Sequence, residues 1–153
     1  MRQETVNSKI INASPETLFK SFTNPESLEV WFAPEGMNAK VHTFDLRIGG
    51  GYEMSLSYPE TDNESKGKTN DKEDRYTSEF IEIVENKKIV QAITFDSPDP
   101  EFAGTMIMEV TFESESVGTK VTFTFKNIPI GIKPEDNEKG TISTLENLAK
   151  FVE

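Results

Sequence analysis

The chain's single histidine, His42, is the first side chain whose chemistry needs weighing. A neutral imidazole acts as a general base when a carboxylate orients it, and Asp45 follows three residues later. The segment alternates like a strand, and odd offsets in a strand point to opposite faces, so the two form no base–orienter pair unless a bulge intervenes. We expect an ordinary strand histidine. Acid–base catalysis by His42 or by a buried carboxylate stays open as an alternative.

Carboxylates on predicted strands are the second candidates for chemistry. They act as acid and base only where they are buried and close together. Alternation places Glu109 and Glu113 opposite the apolar face of their strand, which indicates solvated side chains. Asp45 and Arg47 share a face, and we expect a surface ion pair; if that face lined a cavity, Arg47 would be an anion anchor. The strand carboxylates considered are Glu79, Glu82, Glu109 and Glu113.

Three consecutive glycines, Gly49 to Gly51, raise the question of a phosphate-binding loop. Such a loop ends in Lys-Ser or Lys-Thr and opens a helix, because the helix N-terminus holds the phosphate. Here Tyr52-Glu53-Met54 follows and begins a strand. The run therefore predicts a tight turn or a bulge between two strands.

The composition excludes several classes of protein. A net charge of −11 disfavours binding to nucleic acid and to anionic membrane surfaces. The absence of cysteine excludes disulfides and thiolate chemistry, and one histidine excludes a histidine-rich metal site, so we expect no metal and no cofactor. No stretch has the roughly 20 apolar residues of a membrane span, and the N-terminus lacks the apolar core of a signal peptide. We expect a cytoplasmic location.

The elements that position these residues follow from periodicity and capping signals. A strand over 4–11 precedes two short helices over 15–22 and 25–31, each opened by a capping residue and a proline. About six strands in hairpins follow, with turns at 85–87 and 115–118. A helix begins at Pro134 and carries an apolar stripe of Ile142, Leu145, Leu148, Ala149 and Val152. The polar segment 60–75 predicts a long hairpin loop, with a lid as the alternative.

Hairpin connections require antiparallel pairing, and one face of such a sheet needs a cover. The long C-terminal helix is the only predicted element large enough. We therefore expect an α+β fold, with a curved antiparallel sheet of about six to seven strands around that helix, two short helices after the first strand, and one domain over 1–153.

Five segments, in order and over nearly the whole chain, carry a family resemblance. They are NASPETLFKSFTNPESLEVWFAP, FDLRIGGGYEMSL, EFIEIVENKKIVQAITF, MEVTFESESVGTKVTFTF and KGTISTLENLAKFVE. Together they resemble proteins similar to the C-terminal domain of the Hsp90 ATPase activator, within the START-like, Bet v 1-like (SRPBCC) superfamily. The resemblance implies a helix-grip fold with a cavity between sheet and C-terminal helix. Such proteins often have Gly-Trp at the start of that helix, whereas Thr141 follows Gly140 here.

Three functions remain open after the resemblance. The first is binding of a hydrophobic or amphipathic small molecule in the implied cavity. The second is a protein-binding module with a chaperone as partner. The third, which the resemblance also implies, is a hydrolase or cyclase that uses His42 or a buried carboxylate. The residues expected to bind the ligand are Trp31, Phe44, Met54, Leu56, Met106, Met108, Phe123 and Leu145.

Overall fold

The computed structural model of the protein describes residues 3–33, 36–58 and 73–153. In these ranges seven strands, three α-helices and one short 3-10 turn follow one another. In chain order they are β1 (Gln3–Ile11), α1 (Pro15–Thr23), α2 (Pro25–Trp31), β2 (Asn38–Asp45), β3 (Gly51–Ser57), β4 (Glu73–Val84), β5 (Lys88–Phe95), the 3-10 turn (Pro100–Phe102), β6 (Met106–Ser114), β7 (Thr119–Ile128) and α3 (Pro134–Val152).

The strands form one antiparallel sheet in the order β1-β7-β6-β5-β4-β3-β2. Strands β2 to β7 pair in chain order, as hairpin connections require, and β1 adds beside β7 at the far edge. The sheet curves around α3, which confirms the predicted α+β helix-grip fold. The predicted loop 60–75 lies outside the described residues except for its last three, which belong to β4.

The two short helices begin where the capping signals predict. The Ser14 hydroxyl accepts a hydrogen bond from the Thr17 amide at 3.1 Å. The Asn24 side chain likewise accepts bonds from the amides of Glu26 and Ser27. Each cap satisfies amide groups that have no partner inside the helix, and the following proline has no amide hydrogen to satisfy. The tight turn between α1 and α2 follows from these local signals.

Helix α3 packs against the sheet through Leu145 and Leu148, which are 2% and 0% exposed. Two of its polar side chains fix it to the end of α2. The Thr144 hydroxyl donates to the Phe32 carbonyl at 3.1 Å, and the Asn147 amide donates to the Ala33 carbonyl at 2.8 Å. These bonds connect α3 to a second element besides the sheet, so its position is fixed from two sides.

The predicted apolar stripe of α3 is wrong at one position, because Ile142 is 48% exposed. The buried positions are Thr141, Thr144, Leu145, Leu148 and Ala149, which recur at helical spacings of three and four. Ile142 lies one residue past Thr141, and this rotates its side chain away from the sheet. The buried face of α3 therefore begins with Thr141, a polar residue, and a stripe predicted from apolar residues alone does not include it.

Strand β2 is shorter than its alternation predicts. It ends at Asp45, and Leu46 and Ile48 in the following turn are exposed. The reason lies in the turn itself: the Arg47 amide donates to the Asp45 carbonyl at 3.1 Å, and the Gly50 amide donates to the Arg47 carbonyl at 2.8 Å. These bonds fold residues 45–50 into a turn, so Leu46 and Ile48 are not part of the sheet.

Candidate functional site

A pocket of about 430 Å³ lies between the sheet and the N-terminal half of α3; we call it the helix–sheet pocket. Its sheet wall comes from β3 to β7, and its opposite wall comes from α3 and the turn before it. The sheet wall is formed by Leu56, Asp74, Tyr76, Ile93, Phe95, Met106, Met108, Phe123 and Phe125, and the helix wall by Gly131, Ile132, Asp136, Asn137, Gly140, Thr141 and Thr144, with Phe32, Met37 and Tyr58 completing the boundary.

The side chains that α3 turns toward the sheet explain where the pocket lies. From the N-terminus of α3 as far as Thr144 they are short, with Gly140, Thr141 and Thr144 on the pocket wall. In the C-terminal half they are Leu145 and Leu148, which fill the space down to the strands. The change from small to large residues along one helix face is a sequence signal for the position of the pocket.

Four of the eight expected ligand-binding residues line the helix–sheet pocket: Leu56, Met106, Met108 and Phe123. They come from three different strands, β3, β6 and β7, which the sheet curvature brings around the same space. The other four, Trp31, Phe44, Met54 and Leu145, lie elsewhere, in or against the hydrophobic core.

Trp31 shows why an aromatic at the end of α2 packs in the core. Its indole is 1% exposed and packs edge-on against Phe22, with ring centroids 4.7 Å apart. The indole nitrogen donates a hydrogen bond of 3.0 Å to the Ser21 carbonyl in α1. Its neighbour Phe32 lines the helix–sheet pocket. Of the two adjacent aromatics, Trp31 therefore joins α1 to α2 and Phe32 reaches the pocket.

A buried polar cluster on the inner face of the sheet was missed by the sequence reasoning. The Tyr52 hydroxyl donates to Oε1 of Gln91 at 2.7 Å, and the Ser78 hydroxyl donates to the same oxygen at 2.6 Å. The Tyr76 hydroxyl is 3.2 Å from the sulfur of Met54. A signal was present, because the alternation that buries Ile89 and Ile93 also places Gln91 inward.

Burial controls the ionisation of both tyrosines. It raises the pKa of Tyr52 from 10.0 to about 12, against a smaller lowering by hydrogen bonds to Tyr76, Ser78 and Gln91. Burial also raises the pKa of Tyr76 well above its usual value, with a further contribution from the charge that Tyr52 would carry. Both hydroxyls are therefore protonated at neutral pH, and they act as hydrogen-bond donors.

His42 lies at a β-bulge, which is the one exception that the alternation argument allowed for a pair with Asp45. The register between β2 and β3 shifts between Val41 and Thr43, so His42 occupies the extra position. Its Nε2 lies 2.8 Å from the Ser55 hydroxyl, whereas Asp45 pairs with Arg47 at 2.8 Å. His42 does not line the helix–sheet pocket. The geometry therefore gives no support to a hydrolase or cyclase that uses His42 in this pocket.

The strand glutamates lie on the outer face of the sheet, away from the pocket. Glu109 and Glu82 flank Lys88 at 3.5 and 3.4 Å. The negative charge of Glu109, followed by the smaller effect of Glu82, raises the pKa of the Lys88 amine above its usual value. Glu113 is exposed. These acids stabilise a surface cation and are not arranged as a catalytic pair; in the described ranges no three His, Asp or Glu side chains form a metal-binding group.

The glycine run forms a turn in which the amides of Gly49 and Gly50 already donate hydrogen bonds within the protein. The Gly49 amide donates to the Phe80 carbonyl at 2.9 Å, and Gly49 has a φ of +88°. Gly51 begins β3, and a Cβ at this position would overlap the Ser78 carbonyl oxygen of the neighbouring strand. The run thus serves a left-handed turn and a close strand contact, as the sequence predicts, and no helix follows it.

Comparison with known proteins agrees with this geometry. No curated protein matches the chain. A solved structure of a protein from Chromobacterium violaceum is 26% identical, with a TM-score of 0.86 over 97% of this chain and 96% of that chain. An AHSA1-like protein from Aeromonas hydrophila is 17% identical, with a TM-score of 0.73 over 98% and 92%, and a protein from Staphylococcus epidermidis is 18% identical, with a TM-score of 0.74 over 99% and 90%.

These structures have the same fold as this chain over nearly their whole length. No helix in the part of the chain that the structure describes has the length and apolar character needed to cross a membrane. Residues 12–153 match the family described as Activator of Hsp90 ATPase homolog 1-like protein. The chain therefore belongs to that family, within the SRPBCC superfamily.

Proposed function

We propose that the protein binds a hydrophobic or amphipathic small molecule in the helix–sheet pocket. The observation that carries this proposal is the volume of about 430 Å³ between α3 and the sheet. Small-molecule sites in proteins are concave, mostly apolar, and about 300–1,000 Å³ in size, with a few polar groups that orient the ligand. The helix–sheet pocket fits this description in size and in the mixture of residues on its walls.

The lining also suits a ligand of irregular shape. Met37, Met106 and Met108 are unbranched and polarisable, so they adapt to different apolar surfaces. Leu56 and Phe123 supply further apolar area on the sheet wall. In this proposal the affinity comes from apolar surface removed from water, at roughly 25 cal/mol per Å² before the losses of binding are subtracted.

A substitution on α3 tests this proposal. Thr141→Trp places an indole at a pocket position where proteins resembling this one often have tryptophan. The Thr141 hydroxyl bonds only to the Asn137 carbonyl one turn earlier among its described contacts, so its loss should leave the fold intact. We expect the variant to lose most of its binding to Nile red, an uncharged apolar dye whose fluorescence rises on burial.

The matched control is Ile142→Trp, which adds the same side chain one residue later at an exposed position. It should bind the dye like the original protein. Equal dye binding by all three proteins, with circular dichroism showing each folded, would rule the proposal out. Native mass spectrometry of protein purified from its own host gives a second measurement: we expect an additional mass that Thr141→Trp lacks.

A second candidate function is protein binding, for which the outer face of β1 is the relevant observation. Val6 and Ile10 are 59% and 55% exposed, so two apolar side chains face solvent on a strand that pairs with only one other strand among the described residues. The family description names an activator of the Hsp90 ATPase, which makes a chaperone the first partner to test. We expect stimulation of the host chaperone's ATPase that Ile10→Lys abolishes; no stimulation by the folded protein would count against this function.

A further inference from the structure

Asn137 is a polar residue on the wall of the helix–sheet pocket whose hydrogen-bonding groups are only partly used. It lies near the start of α3 and lines the pocket. Its Oδ1 accepts a hydrogen bond of 2.5 Å from the Thr5 hydroxyl. A side-chain amide carries two N–H donors besides that oxygen. Among the residues that the structure describes, Nδ2 of Asn137 has no hydrogen-bond partner.

Thr5 fixes the orientation of this amide from outside the pocket. It lies on β1, is 6% exposed and pairs with Phe125 of β7, which lines the pocket whereas Thr5 does not. Because the hydroxyl donates to Oδ1, the amide oxygen is directed toward β1. The nitrogen is the other branch of the same planar group and points away from Thr5. Asn137 is half-buried, so a molecule in the pocket can reach this nitrogen.

Other polar side chains on the pocket walls have their donors engaged within the protein. The hydroxyls of Thr141 and Thr144 donate to backbone carbonyls at 2.8 and 3.1 Å. The Tyr76 hydroxyl lies 3.2 Å from the sulfur of Met54. The N–H groups of Asn137 therefore differ from these hydroxyls, since no described residue accepts from them.

Two N–H donors on an otherwise apolar site select a ligand that carries a hydrogen-bond acceptor. A carbonyl oxygen accepts such bonds without carrying a charge. An anionic acceptor is costly to bury unless a cation pairs with it, and the described lining residues include no lysine, arginine or histidine. A neutral carbonyl is therefore the acceptor that fits this wall.

We propose that the ligand of the helix–sheet pocket is a neutral carbonyl compound on an apolar body, such as a ketone, ester or amide, whose oxygen accepts a hydrogen bond from Nδ2 of Asn137. This inference rests on the proposed small-molecule function and names its ligand class. Thr5 is a positioning residue that holds the amide for this contact. The apolar body would contact Met106, Met108 and Phe123 on the sheet wall.

The test compares two neutral ligands of the same shape: 2-acetylnaphthalene, which carries a carbonyl oxygen, and 2-isopropylnaphthalene, which carries none. Each displaces Nile red from the folded protein, and the two dissociation constants give a hydrocarbon-to-ketone ratio for each variant. A general change in apolar affinity alters both ligands alike and cancels in this ratio. A third ligand, 2-naphthoate, is anionic at neutral pH and should bind more weakly than the ketone.

Substitutions at Asn137 remove the donors. Asn137→Asp keeps an oxygen for the Thr5 hydroxyl and replaces the N–H groups with a second oxygen, and Asn137→Ala removes the same donors without adding a charge. Both should lower the ratio about tenfold, because the ketone oxygen loses its partner in a site shielded from water. The matched control is Asn86→Asp, the same change in the turn between β4 and β5, outside the pocket lining. It should keep the ratio.

Substitutions at Thr5 test the orientation separately. Thr5→Val keeps the shape of the side chain but removes the hydroxyl, so the Asn137 amide is no longer held. We expect the ratio to fall about threefold, and Thr5→Ser, which keeps a hydroxyl, to restore it. A loss of stability in urea with an unchanged ratio would overturn the positioning role of Thr5.

The outcomes separate the two proposals. An unchanged ratio in folded Asn137→Asp and Asn137→Ala would overturn the carbonyl assignment while leaving small-molecule binding in place. An equal fall in Asn86→Asp would overturn it as well, and so would tighter binding of the naphthoate than of the ketone. Tyr58 carries a hydroxyl at the pocket boundary, so a fall of the ratio in Tyr58→Phe alone would also overturn it. Failure of Nile red and of all three ligands to bind the folded protein would overturn both proposals.

Discussion

The Tyr52 hydroxyl on β3 donates a hydrogen bond of 2.7 Å to Oε1 of Gln91 on β5, across the intervening strand β4. Ser78 on β4 donates to the same oxygen, so one amide acceptor serves all three strands. All three side chains are at most 3% exposed. Because water does not reach them, the stability of this part of the sheet depends on the acceptor being present.

Gln91→Leu should therefore destabilise the protein by about 3 kcal/mol, because two buried hydroxyls lose their acceptor. The free energy of unfolding, measured by urea denaturation, checks this value. The triple variant Tyr52→Phe/Ser78→Ala/Gln91→Leu removes donors and acceptor together. It should lose less than the sum of the three single substitutions, and simple additivity would contradict the shared-acceptor arrangement.

Alkaline pH should weaken the protein through Tyr52. Its pKa is raised from 10.0 to about 12 in the folded state, so above pH 10 the unfolded chain loses this proton first. The stabilisation is complete below about pH 10 and is lost as the pH rises toward 12, on the order of 3 kcal/mol in all. Urea denaturation at several pH values should show this fall, and Tyr52→Phe should make it shallower. A stability independent of pH in this window would be inconsistent with a buried Tyr52.

Alanine substitutions at Gly49 and Gly51 should differ in how far they lower the stability of the protein. Gly51→Ala should unfold or severely destabilise the protein, because the new Cβ overlaps the Ser78 carbonyl oxygen of the paired strand. Gly49→Ala should cost only about 1 kcal/mol, because its φ of +88° is unfavourable but no atom lies within 4 Å of the added Cβ. Thermal unfolding of the two variants measures the difference, and similar losses would disprove the close strand contact.

The single tryptophan offers a spectroscopic test of the core. Trp31 is 1% exposed, so its fluorescence emission should be blue-shifted and poorly quenched by acrylamide in the folded protein. In a Trp31→Phe background, Ile142→Trp should give the opposite result: its fluorescence emission should be red-shifted and readily quenched by acrylamide. Trp31→Phe itself should destabilise the protein by about 1–3 kcal/mol, because the hydrogen bond to Ser21 is lost. Ready quenching of Trp31 would contradict its burial.

The parts of the fold that the sequence predicts correctly are those determined by a few neighbouring residues, such as helix starts and turns. Ser14-Pro15 and Asn24-Pro25 determine two helix starts by capping chemistry alone, and Pro134 determines the third. The turns at 85–87 and 115–118 also appear as predicted. Each of these features depends on residues a few positions apart, so a single segment contains the information.

Features that depend on several elements were harder to predict. Alternation gives the inward face of each strand, and it correctly turns Met106 and Met108 inward. Alternation does not show where the side chains of α3 are too small to fill the space between helix and sheet. That depends on which strands lie opposite Gly140 and Thr141 in the folded protein. Periodicity places Leu145 on the same helix face as Thr141, and the structure places its side chain in the hydrophobic core and not on the pocket lining.

Strand β1 pairs with β7, the strand that lies farthest from it along the described chain. Residues 3–11 pair with β7, so Ile11 lies opposite Thr119 and Gln3 opposite Ile128. During synthesis on the ribosome, β1 emerges before β7 and remains without its partner until the segments between the two strands have followed. Contacts so distant along the chain slow folding and prolong the exposure of the apolar side chains of a nascent protein. Docking of the amino-terminal strand should therefore be a late event, completed together with the carboxy-terminal helix that contacts it.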